Sequence, residues 1–140
     1  YREWAHDMGP LDTLLECGLG FTCAWDKPGG FIGREALLAQ KEGGTLKRRL
    51  VQFLLDNPEP MLTHNEPILR DGERVGYTLS SGYAHTLGAC AAMGYIACEQ
   101  GVDAAYVESG TYQIEQANRT YSAKASLKPM YDPRSERTRA

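Results

Sequence analysis

An Asp-Gly pair at Asp71-Gly72 constrains the fold of this 140-residue chain more than any other feature. The pair lies between two extended runs, residues 66–70 and 73–79. Both central residues of a tight hairpin turn adopt positive φ, which Asp and Gly accept more readily than most residues. The sequence therefore predicts a β-hairpin that turns at these two positions.

Further extended runs surround this hairpin. The period of apolar residues switches to two over residues 46–56, which predicts a core strand. Residues 94–96 predict another strand, and residues 111–115 turn at Ala117-Asn118 and return over 119–127. About six short strands with regular turns are typical of a small barrel or sandwich. We expect a mostly β, α+β fold: a small Greek-key barrel over residues 46–127 beside one helix.

The helix is expected over residues 31–42. Ile32, Leu37 and Leu38 form its apolar positions, and Gly43-Gly44 ends it. Before it, residues 19–25 alternate loosely and predict a strand, and residues 26–30 form a loop by composition. Ser80-Ser81-Gly82 is expected to break the strand that follows the Asp-Gly turn.

Composition and charge exclude several classes of protein. The net charge of −3 gives no sign of a nucleic-acid partner, and no apolar run approaches the ~20 residues of a membrane span. The last thirty residues are locally basic, with six basic and three acidic side chains. This end is either a solvated tail or a contact for an anionic ligand or a neighbouring domain. The chain starts at Tyr1 without Met, which suggests a piece of a longer polypeptide.

No motif in the chain predicts a metal site, a phosphate loop or a nucleophile. The spacings of its four cysteines are six (Cys17, Cys23) and eight (Cys90, Cys98), and neither matches a zinc knuckle. We interpret them as small buried side chains in a reducing compartment. Gly18-Leu19-Gly20 lacks the third glycine of a dinucleotide fingerprint. The three histidines show no ligand spacing, and we predict no catalytic residue in this chain.

Several segments together resemble one family, the aminomethyltransferases: the glycine cleavage T-protein and the C-terminal halves of dimethylglycine and sarcosine dehydrogenases. The order and spacing of these segments fit across nearly all of the chain. They are FIGREAL at 31–37, KRRLV at 47–51, EPI at 66–68, RVGYT at 74–78, SGY at 81–83, TLG at 86–88 and KASLKPMYDP at 124–133. YREWAHDM at 1–8 and WDKP at 25–28 resemble the dehydrogenase branch more closely.

The resemblance implies the C-terminal portion of a large folate-dependent one-carbon transfer enzyme. Residues 1–44 would be the end of its central folate-binding region, and residues 45–140 its C-terminal β-barrel. A preceding FAD domain would oxidise an N-methyl amine, and tetrahydrofolate would take the one-carbon unit. The family's key aspartate and its acidic folate contact would lie before Tyr1. The expected location is the cytoplasm, or the mitochondrial matrix in a eukaryote.

The resemblance also implies three folate contacts. Lys27 falls nearest a basic residue in the loop before FIGREAL, which is an arginine in the T-protein; lysine lacks the bidentate fork of arginine. Tyr131 or Arg134 falls where the family places a residue against folate near the C-terminus. Arg34 is interpreted as a partner in a salt bridge on the helix surface.

Two other interpretations stay open. The chain could be a non-catalytic binding or scaffold module that kept the barrel without the chemistry. It could also be a barrel like those of translation factors, since small Greek-key barrels carry many functions. We expect the 140-residue chain to fold alone, and neither to turn over substrate nor to bind tetrahydrofolate tightly.

Overall fold

The computed structural model of the chain describes residues 2–137 and 139. Six strands and two short helices follow a 3-10 turn at Gly20–Thr22. In chain order these elements are α1 (Arg34–Glu42), β1 (Arg48–Leu55), β2 (Pro67–Arg70), β3 (Glu73–Ala84), β4 (Ala89–Ala97), α2 (Ala104–Ser109), β5 (Tyr112–Gln116) and β6 (Arg119–Ser126).

The six strands form a closed antiparallel barrel in the order β1-β4-β3-β2-β5-β6. β2, β3 and β4 are consecutive neighbours, whereas β1 lies on the far side of β4 after a long connection to β2. That arrangement of four strands is a Greek key. The expected mostly β fold with a Greek-key barrel is confirmed.

Both predicted turns are confirmed. Asp71 (φ 52°) and Gly72 (φ 88°) join β2 to β3, and Ala117 (φ 50°) and Asn118 (φ 60°) join β5 to β6. Positive φ at both central residues matches the turn twist to the right-handed twist of the strands. These two turns help to set the register of two of the six strand pairs in the barrel, β2 with β3 and β5 with β6.

Apolar side chains from alternate strand positions fill the barrel. Phe53, Ile68, Ile96 and Ile114 are fully buried, and the Phe53 ring lies 5.6 Å from that of Tyr112. Facing positions on β4 are small, such as Cys90 and Ala92, so that the large side chains interdigitate with them. The barrel interior is a packed core.

The helix α1 begins three residues later than predicted. Gly33 has φ 85° and precedes the first helical residue, Arg34, so the turn at Gly33 sets the start. Ile32, predicted on the apolar face, is fully exposed, and α1 contains no buried residue. The periodicity of residues 31–42 therefore described a surface helix and not a core helix.

Three other expectations were wrong or incomplete. Residues 19–25 form no strand and include the 3-10 turn instead. The segment Ser80-Ser81-Gly82 does not end β3. The strand continues to Ala84, and its pairing with β4 shifts register between Thr78 and Ser81. The helix α2 was missed: it is only six residues long and depends on the Asp103 side chain, which accepts a hydrogen bond from the Tyr106 N–H at 2.7 Å.

The segment before α1 packs on the outside of the barrel. Leu50 N–H donates to the Glu16 carbonyl at 2.9 Å, and buried Cys17 lies 3.1 Å from the Tyr95 hydroxyl. Arg48 forms an ion pair with Asp12 at 2.6 Å while its guanidinium stacks on Tyr95. These contacts hold residues before α1 against β1 and β4. Neither helix in the described part of the chain is long and apolar enough to cross a membrane.

Candidate functional site

Lys27 lies in the loop that leads into α1. Tight turns shape this loop: Lys27 N–H donates to the Ala24 carbonyl at 3.1 Å, and Gly30 N–H donates to the Lys27 carbonyl at 2.9 Å. Trp25 packs edge-on against Phe31, with ring centroids 6.2 Å apart. Lys27 is exposed, and no ion pair or side-chain hydrogen bond to another described residue engages its ammonium group. The charge is therefore available to a ligand.

A cleft of about 380 Å³ adjoins this loop. Its walls are the turn around Gly29 and Gly33 and the first turn of α1. A side chain at either glycine would meet nothing within 4 Å, so the backbone there is open to a ligand. Arg34 borders the cleft, donates to the Trp25 carbonyl at 2.9 Å and pairs with Glu35 at 2.8 Å. The expected surface salt bridge of Arg34 is thus present.

Tyr131 and Arg134 lie in the segment after β6. Met130 N–H donates to the Gln52 side chain at 3.3 Å, which attaches this segment to β1. Tyr131 is half-exposed, and its hydroxyl accepts a hydrogen bond from Arg137 at 3.1 Å. Arg134 is exposed and lies 3.8 Å from Glu136. Both side chains are accessible to solvent.

The structure does not bring the three predicted folate contacts together. Among the described residues, no hydrogen bond, ion pair or ring contact joins Lys27 to Tyr131 or Arg134. The three side chains lie on two separate segments, before α1 and after β6. Whatever they bind must reach across both segments or be enclosed by further protein.

Two buried carboxylates were missed by the sequence analysis. Asp7 is 1% exposed and accepts hydrogen bonds from Glu3 N–H at 2.8 Å and Ser80 N–H at 3.1 Å. Glu66 is buried and accepts from Thr63 N–H at 2.6 Å and from the Thr78 hydroxyl. Thr63, three positions before Glu66, gave a local signal for that acid, whereas the Ser80 and Thr78 donors are distant in sequence.

The hydrogen bonds decide the charge of these two acids. Burial works to raise the pKa of Asp7, but the Glu3 and Ser80 donors stabilise the carboxylate and hold that pKa below its ordinary value. Burial likewise opposes ionisation of Glu66, and the hydrogen bonds from Thr78 and Thr63 lower its pKa. Both groups are therefore anions at neutral pH, and neither has the raised pKa of a general acid.

The histidines beside Asp7 form a ring contact. His6 Nδ1 lies 2.9 Å from the Ser80 hydroxyl, and the ring centroids of His6 and His64 are 4.8 Å apart. His6 Nδ1 also lies 3.6 Å from Asp7. Ser80 and Asp7 thus approach the same nitrogen of the His6 ring. In a catalytic triad the serine and the acid contact opposite ring nitrogens, so these three residues do not form one.

The described residues hold no metal-binding group of three or more His, Cys, Asp or Glu side chains. All four cysteines are free; Cys17 and Cys90 are buried and the other two are partly buried. Burial raises the pKa of the Cys17 thiol, which disfavours the thiolate. The exposed cations of Lys27 and Arg134 have the charge to pair with an anion, and the groups described above supply no reacting centre.

Comparisons with known proteins identify the barrel. The family profile described as "Glycine cleavage T-protein C-terminal barrel domain" matches residues 48–132. The chain is 40% identical over 99% of its length to 4-methylaminobutanoate oxidase (formaldehyde-forming) of Paenarthrobacter nicotinovorans, of which it covers 16%. It is also 40% identical over 99% of its length to mitochondrial sarcosine dehydrogenase of Homo sapiens, of which it covers 15%.

A solved structure shares the fold. The glycine cleavage system aminomethyltransferase T of Bartonella henselae superposes with a TM-score of 0.70 over 91% of this chain and 34% of that protein, at 19% identity. The chain thus spans a small part of each of these relatives, about a sixth of the oxidase and the dehydrogenase. By its sequence profile, the chain belongs to the family of the glycine cleavage T-protein C-terminal barrel domain.

Proposed function

We propose that this chain is the C-terminal portion of a flavoprotein of the dimethylglycine or sarcosine dehydrogenase type, which passes one-carbon units to tetrahydrofolate. One observation carries the proposal: the chain aligns over 99% of its length, at 40% identity, with relatives named for oxidising 4-methylaminobutanoate and sarcosine. Both compounds are N-methyl amino acids. The match to an aminomethyltransferase of Synechocystis is weaker, at 34% identity over 91% of the chain.

Lys27 is proposed to bind a carboxylate of the folate. An exposed ammonium group with no ion-pair partner among the described residues can meet a carboxylate without first breaking another contact. The cleft beside it, with open space at Gly29 and Gly33, would let a ligand approach the backbone. Lysine supplies a single charge without the planar fork of arginine, so we expect a contact of moderate strength.

Tyr131 and Arg134 are proposed to close the other side of the folate. Tyr131 offers a half-exposed ring for stacking on a pterin, which would compete with the Arg137 guanidinium 5.8 Å from the ring centre. Arg134 offers a second cation, whose ion pair among the described residues is the 3.8 Å contact with Glu136. These features suit the aromatic and the anionic ends of a folate.

The chemistry is proposed to reside in the preceding part of the polypeptide. FAD bound there would accept the two electrons of amine oxidation, and tetrahydrofolate would accept the one-carbon unit. The residues of this chain bind and orient the folate and cover one side of it. Apolar side chains exposed before β1 support a contact with that preceding part; they are Trp4, Leu11, Phe21 and Ile32. We place the enzyme in the cytoplasm, or in the mitochondrial matrix of a eukaryote.

The test uses the complete polypeptide that carries this chain, supplied with sarcosine or 4-methylaminobutanoate. Free formaldehyde is measured against electron-acceptor reduction, with and without tetrahydrofolate. We expect a flavin absorbance spectrum, and less free formaldehyde per amine oxidised when tetrahydrofolate is present. A polypeptide with no flavin and no amine oxidation would contradict the proposal.

A regulatory role is the second candidate. The chain is 38% identical over 93% of its length to the mitochondrial pyruvate dehydrogenase phosphatase regulatory subunit of Mus musculus. That relative is named as a regulatory subunit, so the barrel occurs in proteins that are named for a role other than catalysis. The same assay separates the two functions: a folded polypeptide that oxidises no amine favours the regulatory role.

A further inference from the structure

A second cleft, of about 310 Å³, lies where the loop around Gly18, the end of α1 and the start of β1 meet. Lys41 and Arg49 line it, and the backbone of Gly18, Gly20 and Gly44 forms much of the rest. None of its lining residues is acidic. Its lining therefore carries positive charge.

Arg49 has no acceptor for its buried donor. Its side chain is partly buried, and its buried Nε has no hydrogen-bond partner in the described part of the chain. Arg2 is in the same condition: its Nε is also buried and unpartnered, and its guanidinium lies 3.2 Å from the position that a Cβ on Gly18 would take. Buried polar groups in folded proteins are nearly always hydrogen-bonded. Arg49 in the cleft lining and Arg2 beside the lining residue Gly18 therefore need an explanation.

Three of the acidic residues near the cleft are engaged elsewhere, and Glu42, next to Lys41, is exposed and forms no ion pair with a described residue. Asp12 pairs with Arg48, Glu16 accepts from Thr13, and Asp103 caps α2. Among the described residues, no carboxylate lies within 4.0 Å of the Arg2, Lys41 or Arg49 cations. Burial lowers the pKa of Arg49, and the charge of Asp103 only partly offsets this. The desolvated guanidinium lacks a close counter-charge.

Lys41 has a structural explanation of its own. It lies in the last turn of α1, where a cation compensates the helix dipole, and its Nζ lies 4.9 Å from the centre of the Trp25 ring. The two arginines have no such explanation. Guanidinium forks match carboxylate and phosphate groups in geometry as well as charge.

We propose that this cleft, which we call the Arg49 cleft, binds an oxyanion through Arg49, Arg2 and Lys41. The oxyanion is a carboxylate or a phosphate group. It is either part of a free small molecule or the side chain of an Asp or Glu from another part of the complete polypeptide. In both cases the anion supplies the acceptors that the two arginines lack. The Arg49 cleft includes none of the proposed folate contacts, so a test of anion binding there does not depend on whether the chain binds folate.

The experiment is calorimetric titration of the complete polypeptide with citrate and with pyrophosphate at constant ionic strength. It compares the unchanged protein with Arg49→Gln and with Lys41→Gln, an exposed position that should tolerate the change. Arg119→Gln, at an exposed arginine at the start of β6, is the matched control. A crystal structure of the complete polypeptide accompanies the titration.

Saturable binding that weakens about fivefold or more in Arg49→Gln or Lys41→Gln, and not in Arg119→Gln, supports a free anion as the ligand. No binding, with an Asp or Glu side chain seated on Arg49 in the crystal structure, supports the carboxylate of another segment. The proposal is overturned if neither is found, or if the anions bind and all three variants bind them equally well.

Discussion

Asp7 and Glu66 each combine hydrogen bonds from neighbouring residues with one from a distant strand position. Glu66 is 12 positions from Thr78, and Asp7 is 73 positions from Ser80. Sequence spacing reveals only local partners, so it could not have paired Glu66 with Thr78 or Asp7 with Ser80. The contact of Thr63 with Glu66, three positions apart, was a local signal that the sequence analysis missed. The exposed lysine at position 27 was easier to place, because a loop composed of Asp, Lys, Pro and Gly is exposed whatever it packs beside.

The two buried carboxylates predict how stability depends on pH. The pKa of each is lower in the folded chain than its ordinary value of 3.8 for Asp7 or 4.5 for Glu66. The ionised forms therefore stabilise the fold above those values, and this contribution is lost as pH falls through the lower, folded pKa. We expect the free energy of unfolding to fall below about pH 4, as measured by urea denaturation at several pH values.

Replacing Glu66 isolates its share of this effect. Glu66→Gln should cost about 1–3 kcal/mol at pH 7, because the charged acceptor of the Thr63 and Thr78 donors is lost, and it should flatten the pH dependence. Glu73→Gln, at an exposed acid, is the control and should change neither. Equal unfolding free energies for the two variants at pH 7 would show that the buried carboxylate does not stabilise the fold.

At the scale of elements, the turns were predictable and the exact strand and helix limits were not. Asp71-Gly72 and Ala117-Asn118 carry their own conformational preference, and both form the expected hairpins. The end of β3 was missed because pairing with β4 carries the strand through Ser80-Ser81-Gly82. The strand wrongly predicted at 19–25 and the late start of α1 have similar causes. Tertiary contacts override the short apolar pattern at 19–25, and the turn at Gly33 delays the start of α1.

Close packing of β3 on β4 gives a prediction at this scale. A Cβ on Gly76 would overlap the backbone carbonyl of Tyr95, whereas one on Gly82, in the same strand, would meet nothing within 4 Å. Gly76→Ala should therefore destabilise the barrel by about 3 kcal/mol, and Gly82→Ala by much less. Thermal denaturation followed by circular dichroism measures the difference. Similar melting temperatures for the two variants would contradict the close approach of these strands.

At the scale of the whole molecule, the sequence predicted the barrel and the family but not the shape of the binding site. The barrel follows from strand patterns and turns within the chain. The candidate site is divided between the Lys27 loop and the segment after β6, and both are open to solvent. Under the proposed function, the other walls of the folate site belong to preceding parts of the polypeptide. The sequence of this chain then contains only some of the contact residues and no complete binding motif.

This division predicts weak binding by the chain alone. Lys27, Tyr131 and Arg134 are not brought into contact, so the isolated chain would hold a folate by scattered polar contacts that hardly offset the entropy of immobilising it. We expect the 140-residue chain to fold, as shown by a cooperative thermal transition. In calorimetry we expect it to bind tetrahydrofolate more weakly than micromolar. Micromolar or tighter binding would show that the barrel carries the site by itself.

The most direct measurement is the Kd of tetrahydrofolate for the complete polypeptide, determined by calorimetry for the unchanged protein and for Lys27→Ala, Tyr131→Ala and Arg134→Ala. Lys124→Ala, at an exposed lysine on β6, is the control. Lys27→Ala should weaken binding by about 1–2 kcal/mol through loss of a charged hydrogen bond, and Lys124→Ala should leave the Kd unchanged. If all three site variants bind tetrahydrofolate as tightly as the unchanged protein, this barrel does not face the folate and the proposed function is wrong.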